Sequence, residues 1–282
     1  MHTVTLAAPP ALGPLLARGA LRSPFKRPAP DAAVPRTRLV LPGVRVDLAR
    51  LAVYERVCGF ATGESALPLT YPHVLGFPLA MRLMSGRDFP LPLLGLVHTS
   101  IEIERRTALP ADGAYEVSAW IEGLAERRRG TEAVVVTAVR PSGGGGRPVW
   151  VSRSRYLART GKPGARGPAQ AGAALPVVAE WRLGGDVGRR YGAVSGDRNP
   201  IHLHPLTARL FGFPQPIAHG MWTLARCLAA HGSPATTVVR ARFRAPVPLP
   251  GTVRYGADGG GRFELRGSGG RLCVEGSVRD GH

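Results

Sequence analysis

The chain is poor in lysine, cysteine and long apolar runs, and each shortage excludes a class of protein. Lys26 and Lys162 are the two lysines among 37 basic residues, so the formal charge of +18 is almost entirely arginine. Cys58, Cys227 and Cys273 are far apart, which argues against a disulfide framework and predicts buried free thiols. No run approaches the roughly 18 apolar residues of a membrane span, and the proline-containing N-terminal segment makes a poor signal peptide. We therefore expect a cytoplasmic protein without a membrane partner.

The arginine excess suggests nucleic-acid binding at first sight. The arginines are scattered along the chain rather than gathered in one basic helix, and aromatic residues make up only 6% of the sequence. A general bias toward arginine, alanine, glycine and proline explains the charge better, so nucleic acid is not expected as a partner. A basic surface still favours phosphates and other anionic partners.

Composition divides the chain into four segments. Residues 1–36 are rich in proline and alanine without periodicity, which predicts an extended or disordered arm. Residues 160–176 are rich in glycine, alanine and proline, which predicts a linker. The remaining segments, 37–159 and 177–282, are predicted to be two α+β units.

Both units have a similar predicted order of helices and strands. In the first unit, helices are predicted over Val46–Gly59 and from Pro72 to Met84, and strands over Val97–Arg105, Tyr115–Glu122, Glu132–Val139 and Arg147–Arg159. In the second, a helical entry is predicted over Trp181–Ser195, a helix over Ala218–Ala230, and strands over Thr236–Phe243, Gly251–Ala257, Gly261–Arg266 and Arg271–Arg279.

Short matching blocks indicate that the two units are copies of each other. Tyr54–Gly59 matches Tyr191–Gly196 at its tyrosine, valine and glycine, and Pro110–Gly113 matches Pro248–Gly251 at its first proline and its glycine. These blocks predict a duplicated fold.

The chemistry-bearing residues are not duplicated. Aligning Gly76 with Gly220 places Leu75 opposite His219 and leaves the first copy seven residues shorter between the matched blocks. Phe60 follows the first copy's glycine where the second copy has an aspartate. We therefore expect the first copy to be catalytically empty and to serve for packing or for holding something.

The segment Tyr191–Ala208 brings an acid and an imidazole close together in sequence. Asp197 and His202 are five residues apart, with Asn199 and Pro200 between them. A carboxylate and an imidazole at this spacing suit proton transfer to and from a small molecule.

Structural interpretations of the same residues stay open. Asp197 and Asn199 could form an Asx turn and a helix cap, and His202 could be a buried histidine with satisfied hydrogen bonds. His219 could cap a helix, line a pocket or only pack, and His204 is expected at the surface.

Other site chemistries find little support. Ser195 lacks the Gly-x-Ser-x-Gly spacing of a nucleophile elbow, and Gly143–Gly146 lacks the Lys-Ser/Thr of a phosphate-binding loop. The candidate metal ligands contain neither a cysteine pair nor a His-x-x-x-His arrangement, so no metal is expected. Those candidates are His202, His204, His219, His231 and Cys227.

One pattern resembles the signature of a known family, the MaoC-like (R)-specific enoyl-thioester hydratases. It is Tyr191-x-x-Val194-Ser195-Gly196-Asp197-x-Asn199-Pro200-Ile201-His202, followed after five residues by Ala208. The blocks Phe211–Met221 and Arg242–Val247 are similar to the start of the family's central helix and to its following strand. The second copy resembles the family strongly and the first as a degenerate copy, as in mycobacterial-type 3-hydroxyacyl-thioester dehydratases.

The resemblance implies an α+β double hotdog, in which each unit packs a long helix against a curved antiparallel sheet. It implies reversible dehydration of (R)-3-hydroxyacyl thioesters to trans-2-enoyl thioesters, with coenzyme A or an acyl carrier protein as carrier and no cofactor. Asp197 and His202 would be the catalytic pair, Asn199 would bind the water or fix the loop, and the Gly220 N–H would form the oxyanion hole. Further pocket candidates are Tyr191, Ser195, His219 and Met221.

A non-catalytic acyl-thioester-binding or assembly subunit with the same fold is the alternative hypothesis. An intact acid and imidazole argue against it, because binding alone does not require them. A homodimer is one assembly that the resemblance allows.

Overall fold

The computed structural model describes residues 1–29, 31–144, 146–159 and 173–281. The first half contains β1 (His2–Thr5), α1 (Leu12–Arg22), β2 (Thr37–Arg45), α2 (Leu48–Cys58), α3 (Tyr71–Met84), β3 (Val97–Arg105), β4 (Ala114–Arg127), β5 (Gly130–Pro141) and β6 (Trp150–Arg159). The second half contains β7 (Val177–Leu183), α4 (Val187–Ser195), α5 (Pro205–Leu210), α6 (Gly220–His231), β8 (Thr237–Phe243), β9 (Gly251–Ala257), β10 (Arg262–Arg266) and β11 (Leu272–Asp280). Residues 160–172 of the predicted linker lie outside the described residues.

The eleven strands of the described residues belong to one sheet, and their order reflects the duplication. The order is β1-β2-β4-β5-β6-β3-β8-β11-β10-β9-β7. Antiparallel β3 and β8 meet at the centre, and equivalent strands follow outward on each side: β6 and β11, β5 and β10, β4 and β9, β2 and β7. One hydrophobic core runs through both halves.

Helices α2 and α4 pack against each other and end in the same way. Each ends before a glycine in the left-handed conformation, Gly59 or Gly196, both with φ of 81°. The Arg50 Nε on α2 donates a hydrogen bond of 2.8 Å to the Val194 carbonyl on α4. This equivalence confirms the first matched block of the sequence.

The alignment of Gly76 with Gly220 is wrong. The Leu67 N–H bonds the Leu109 carbonyl in the first half, and the Ala218 N–H bonds the Val247 carbonyl in the second, both at 2.8 Å. Leu67 is therefore the counterpart of Ala218.

This register changes the predicted counterpart of His219 and the predicted difference in length between the two copies. Pro68, not Leu75, stands opposite His219 in the first copy. Ser65 and Pro216 are also equivalent. Ser65 lies six residues after Gly59, whereas Pro216 lies twenty residues after Gly196. This segment of the first copy is therefore fourteen residues shorter, and not seven as the sequence alignment predicted. The sequence alignment failed because it matched two glycines by identity, whereas the strand ladders set the true register.

The N-terminal segment is not an extended or disordered arm among its described residues. β1 pairs in parallel with β2, and α1 packs on α3. Leu12, Leu15, Leu16 and Gly19 form one stripe at helical spacing, and Leu15 is 7% exposed. Pro14 lies in the first turn of α1, where its missing N–H breaks no intrahelical bond.

The predicted helical entry from Trp181 is also wrong. Trp181 lies in β7, where its ring stacks on Tyr255 of β9 at a centroid distance of 5.3 Å. The helix begins only at Val187, after the Gly184-Gly185 turn. The remaining predicted helices and strands are confirmed with shifts of a few residues at their ends.

The two faces of the sheet differ sharply in chemistry. His98 and Tyr156 pair across β3 and β6 and line a cavity, whereas the neighbouring Ser100 pairs with Arg155 and with Arg242 on the other face. That second face forms a groove whose described lining includes eleven arginines and four glutamates. We call it the arginine groove: Arg127, Arg128, Arg129, Arg155, Arg159, Arg240, Arg242, Arg244, Arg262, Arg266 and Arg279, with Glu102, Glu132, Glu264 and Glu275.

Within the described part of the chain, no helix has the length and apolar character needed to cross a bilayer.

Replacing Leu15 by alanine tests whether α1 belongs to the folded core. We expect the free energy of unfolding to fall by roughly 2–4 kcal/mol, because the change leaves a cavity under the helix. Leu21→Ala on the same helix is the control, since Leu21 is 75% exposed. Urea unfolding of both variants measures the effect, and equal stability of the two would contradict the packing of α1.

Candidate active site

The loop after α4 positions Asp197 through hydrogen bonds between neighbouring residues. The Asp197 N–H donates to the Ser195 Oγ at 3.2 Å, and the Asn199 N–H donates to the Asp197 Oδ1 at 3.2 Å. Asn199 in turn caps a 3₁₀ turn over Pro200–His202 by accepting from the Ile201 N–H at 3.4 Å. The Asx turn considered from the sequence is therefore real, and it leaves the Asp197 Oδ2 outside the turn.

Two glycines of α4 allow this loop to lie directly on the helix. A Cβ at Gly188 would overlap the carbonyl oxygen of His202, and a Cβ at Gly192 would lie 2.9 Å from that of Asp197. Sequence reasoning missed Gly188 as a positioning residue. A glycine inside a predicted helix was the available signal, because such a glycine often marks close backbone approach.

His202 is buried and neutral, with one ring nitrogen committed. Its Nδ1 lies 2.7 Å from the Ile217 carbonyl oxygen, and only a protonated Nδ1 can donate this bond. Burial lowers the pKa of His202 from its ordinary 6.5, and the Asp197 charge opposes the shift only in part. The Nε2 of the neutral ring is consequently an acceptor.

His219 ties the loop to the start of α6. It occupies the N-cap position, makes no side-chain cap, and donates from Nε2 to the Asp197 carbonyl at 2.9 Å. Its ring stacks on that of His202 at a centroid distance of 3.6 Å and lies 4.9 Å from that of Tyr191. Burial, followed by the nearby His202, lowers the pKa of His219 well below 6.5. Of the functions left open for His219, capping by its side chain is excluded, and the residue lies in the lining of a cavity.

Gly220 is the first residue of α6, so its N–H has no acceptor within the helix. A Cβ there would lie 3.2 Å from the ring of Phe243, which forms the adjacent cavity wall. Met221 follows as a buried residue of the same wall. His204 lies at the surface, as expected, and its Nδ1 caps α5 by accepting from the Leu206 N–H at 3.2 Å.

These residues surround one cavity of about 400 Å³. The structure brings all eight sequence-predicted site residues to its lining, and it adds three that sequence reasoning missed: His73, His98 and Tyr156. They come from α3, β3 and β6 of the first copy, outside any motif. The first copy therefore has no counterpart of the Asp-His pair among its described residues, but it contributes other polar side chains to the cavity.

A metal does not fit the stacked imidazoles well. Ligand atoms of Asp197, His202 and His219 lie within 4.8 Å of one another. Imidazole lone pairs lie in the ring plane, and the two rings stack with an angle of 27° between their planes. Their lone pairs point in nearly parallel planes instead of converging on a tetrahedral centre.

Comparison with known proteins assigns the chain to a family. A family model described as the MaoC like domain matches residues 182–270, and the chain belongs to this family. A particular relative is the 3-hydroxyacyl-thioester dehydratase X of Mycobacterium tuberculosis, 38% identical over 241 residues that cover 82% of this chain and 84% of the relative.

Solved structures agree with the family and establish the fold. The crystal structure of M. tuberculosis HtdX matches with a TM-score of 0.75 at 34% identity, over 86% of this chain and 99% of that one. A conserved hypothetical protein of the same organism, described as having a double hotdog fold, matches with a TM-score of 0.54 at 12% identity, over 84% and 93% of the two chains. The predicted α+β double hotdog is thereby confirmed.

The buried histidines of the first copy predict sensitivity to acid. Burial lowers the pKa of His73 to about 4 and that of His98 to about 3. The unfolded chain, with histidines near 6.5, then binds more protons than the folded chain, so stability is complete above that pH and is lost as the pH falls toward 3.

We expect the variant with His73→Leu and His98→Phe to lose less stability than the wild type between pH 7 and pH 4. Urea unfolding at several pH values measures this difference. The exposed His2 provides a control, since His2→Leu should retain the wild-type pH dependence.

Proposed function

We propose that this chain catalyses the reversible addition of water to trans-2-enoyl thioesters, giving (R)-3-hydroxyacyl thioesters. One observation carries the proposal: the Asp197 Oδ2 and the His202 Nε2 belong to residues that line one cavity with the N-terminal amide of α6, and neither atom makes a hydrogen bond among the described residues. The Asp197 Oδ2 lies 3.9 Å from the His219 Nε2. The similarity to a 3-hydroxyacyl-thioester dehydratase supports this reversible reaction.

The two acceptors suit a water molecule. In the hydration direction, water donates to Asp197 and His202 while its oxygen attacks C3 of the enoyl group. The π bond between C2 and C3 breaks, a C–O bond forms at C3, and the pair transfers a proton from water to C2. Dehydration follows the same steps in reverse.

Negative charge develops on the thioester oxygen during this reaction. The Gly220 N–H at the start of α6 is a donor for that oxygen, and the helix dipole favours negative charge at the same place. The Phe243 ring beside Gly220 excludes water from this donor and strengthens the interaction. Tyr191 and Ser195 support the site from α4, the first through its ring against His219 and the second through the Asp197 N–H.

The arginine groove supports an anionic carrier for the acyl group. The groove and the cavity lie on opposite faces of the sheet and share Val97 and Phe243 in their linings. Both the phosphates of coenzyme A and an acidic carrier protein suit arginine. The buried free thiols of Cys58 and Cys227 support a reducing compartment such as the cytoplasm.

Conservative changes of the Asp-His pair test the reaction directly. We expect Asp197→Asn and His202→Gln each to lower kcat/KM for a conjugated enoyl-CoA by about 10²–10⁴, because the amide that replaces each group cannot take a proton from the water. Loss of the enoyl ultraviolet absorbance measures turnover. Full activity in both variants would refute the mechanism, and binding of enoyl-CoA without any turnover would favour the non-catalytic alternative.

Gly188 tests positioning without touching the substrate. We expect Gly188→Ala to lower kcat/KM by about 10², because the methyl group would push the His202 backbone away from α4. Gly123→Ala is the matched control, since its Cβ would have no atom within 4 Å. A wild-type rate in Gly188→Ala would show that the contact between α4 and the loop does not set the geometry.

A further inference from the structure

Three polar side chains of the first copy line the cavity without a part in the proposed reaction. We call His73, His98 and Tyr156 the polar cluster. The His98 ring stacks on Tyr156 at a centroid distance of 4.5 Å and on His73 at 6.2 Å, with interplanar angles of 19° and 11°. The cluster is therefore a continuous wall formed by α3, β3 and β6.

Two nitrogen atoms of this wall lack partners among the described residues. They are the His73 Nδ1 and the His98 Nε2, both shielded from bulk solvent. His73 is only 8% exposed. A shielded polar atom left unpaired costs about 1–3 kcal/mol, whereas leucine or phenylalanine would fill the same space without that cost. The nitrogens are explained if they bind something that enters the cavity.

The chemistry of the cluster selects a neutral ligand. Burial lowers the pKa of both imidazoles to about 4 and about 3, so both are uncharged near pH 7. The negative charge of Asp197 acts on His73, and it would repel a carboxylate or phosphate placed beside it. A neutral imidazole has one donor and one acceptor nitrogen, and a hydroxyl group can pair with either.

The polar cluster lies along the path that an acyl chain would take through the cavity. His73, Phe77, Met81 and Met84 line the cavity from one face of α3, over a rise of about 16 Å. His73 is the polar end of this face, and the charge of Asp197 acts on it. Phe77, Met81 and Met84, which lie beyond it, are apolar. On the opposite side of the cavity, the ring centroids of His98 and Phe243 are 4.8 Å apart. The Phe243 ring lies beside Gly220. A chain leading away from the reacting carbons along α3 passes the cluster before it reaches the apolar part.

We propose that the polar cluster binds a hydroxyl group on the acyl chain, at a carbon beyond the reacting C2–C3 bond. The protein thus prefers thioesters that have a second oxygen substituent over plain alkyl thioesters of equal length. This inference rests on the proposed function, because it uses the same cavity and the same substrate class.

Matched substrates test the preference. Decenoyl-CoA is compared with decenoyl-CoA bearing one hydroxyl group at each carbon beyond C4 in turn. For the best position we expect kcat/KM of the wild type to rise about tenfold over the unsubstituted compound, mainly through a lower KM, since the contact is present in both ground and transition states. His73→Leu and His98→Phe should each bring this ratio close to unity.

The control is His231→Leu, which removes a histidine outside the cavity and should keep both the activity and the preference. A merely structural role of the cluster would lower activity on both substrates without changing their ratio. The proposal is overturned if the wild type prefers the unsubstituted chain at every position, or if the preference persists in both cluster variants.

Binding separates this inference from the proposed function. The corresponding saturated decanoyl-CoA and hydroxydecanoyl-CoA compounds do not react, and calorimetry on the wild type should show about the same tenfold difference in affinity. Absence of turnover with this difference intact would refute the reaction and keep the subsite. Turnover with equal affinities would refute the subsite and keep the reaction.

Discussion

The antiparallel pairing of β3 with β8 is the interaction on which the remaining structure depends. It runs in register from Ser100 opposite Arg242 to Arg105 opposite Thr237 and joins the two copies into one sheet. Arg105 reinforces the joint by donating to the carbonyls of Pro234 and Ala235 at 2.6 and 2.9 Å. Because strand side chains alternate between faces, a slip of one residue would move Phe243 out of the cavity and an arginine into it.

The two copies of the duplicated fold contribute different parts of the candidate site. Fourteen additional residues between Gly196 and Pro216 give the second copy its Asx turn, its 3₁₀ turn and α5. The first copy has Pro68 in place of His219, so it lacks the imidazole that ties loop to helix. It contributes instead the long face of α3 and the polar wall of the cavity. In the proposed reaction and the proposed subsite, proton transfer and substrate preference therefore depend on different copies of the duplicated unit.

The sequence predicted the parts of the site that are local in the chain. Asp197 and His202 could be assigned because a short turn holds them together, and Gly220 followed from the family pattern. His73 and His98 could not be assigned, since only the joined sheet brings β3 and α3 to the second copy's loop. Helix α1 was missed although its apolar stripe was present, because nearby prolines were taken as a sign of disorder.

The strand predictions failed at the outer positions for a related reason. β2 lies between β1 and β4, and β7 lies at the edge of the sheet next to β9. The pairing of β2 with β4 and of β7 with β9 is specified by partners far along the chain. Propensity alone is a weak guide for such strands, because cross-strand packing decides them. The central strands, whose β-branched runs are buried on at least one face, were identified correctly.

The arginine groove has a consequence for chemical durability. A thioester is an acylating agent, and a free amine beside it is a nucleophile that can take the acyl group irreversibly. Lysine amines can lose their proton, whereas guanidinium groups stay protonated near neutral pH. The described lining of the groove contains eleven arginines and no lysine. A surface of this composition attracts anionic groups while offering a nearby thioester no amine to acylate.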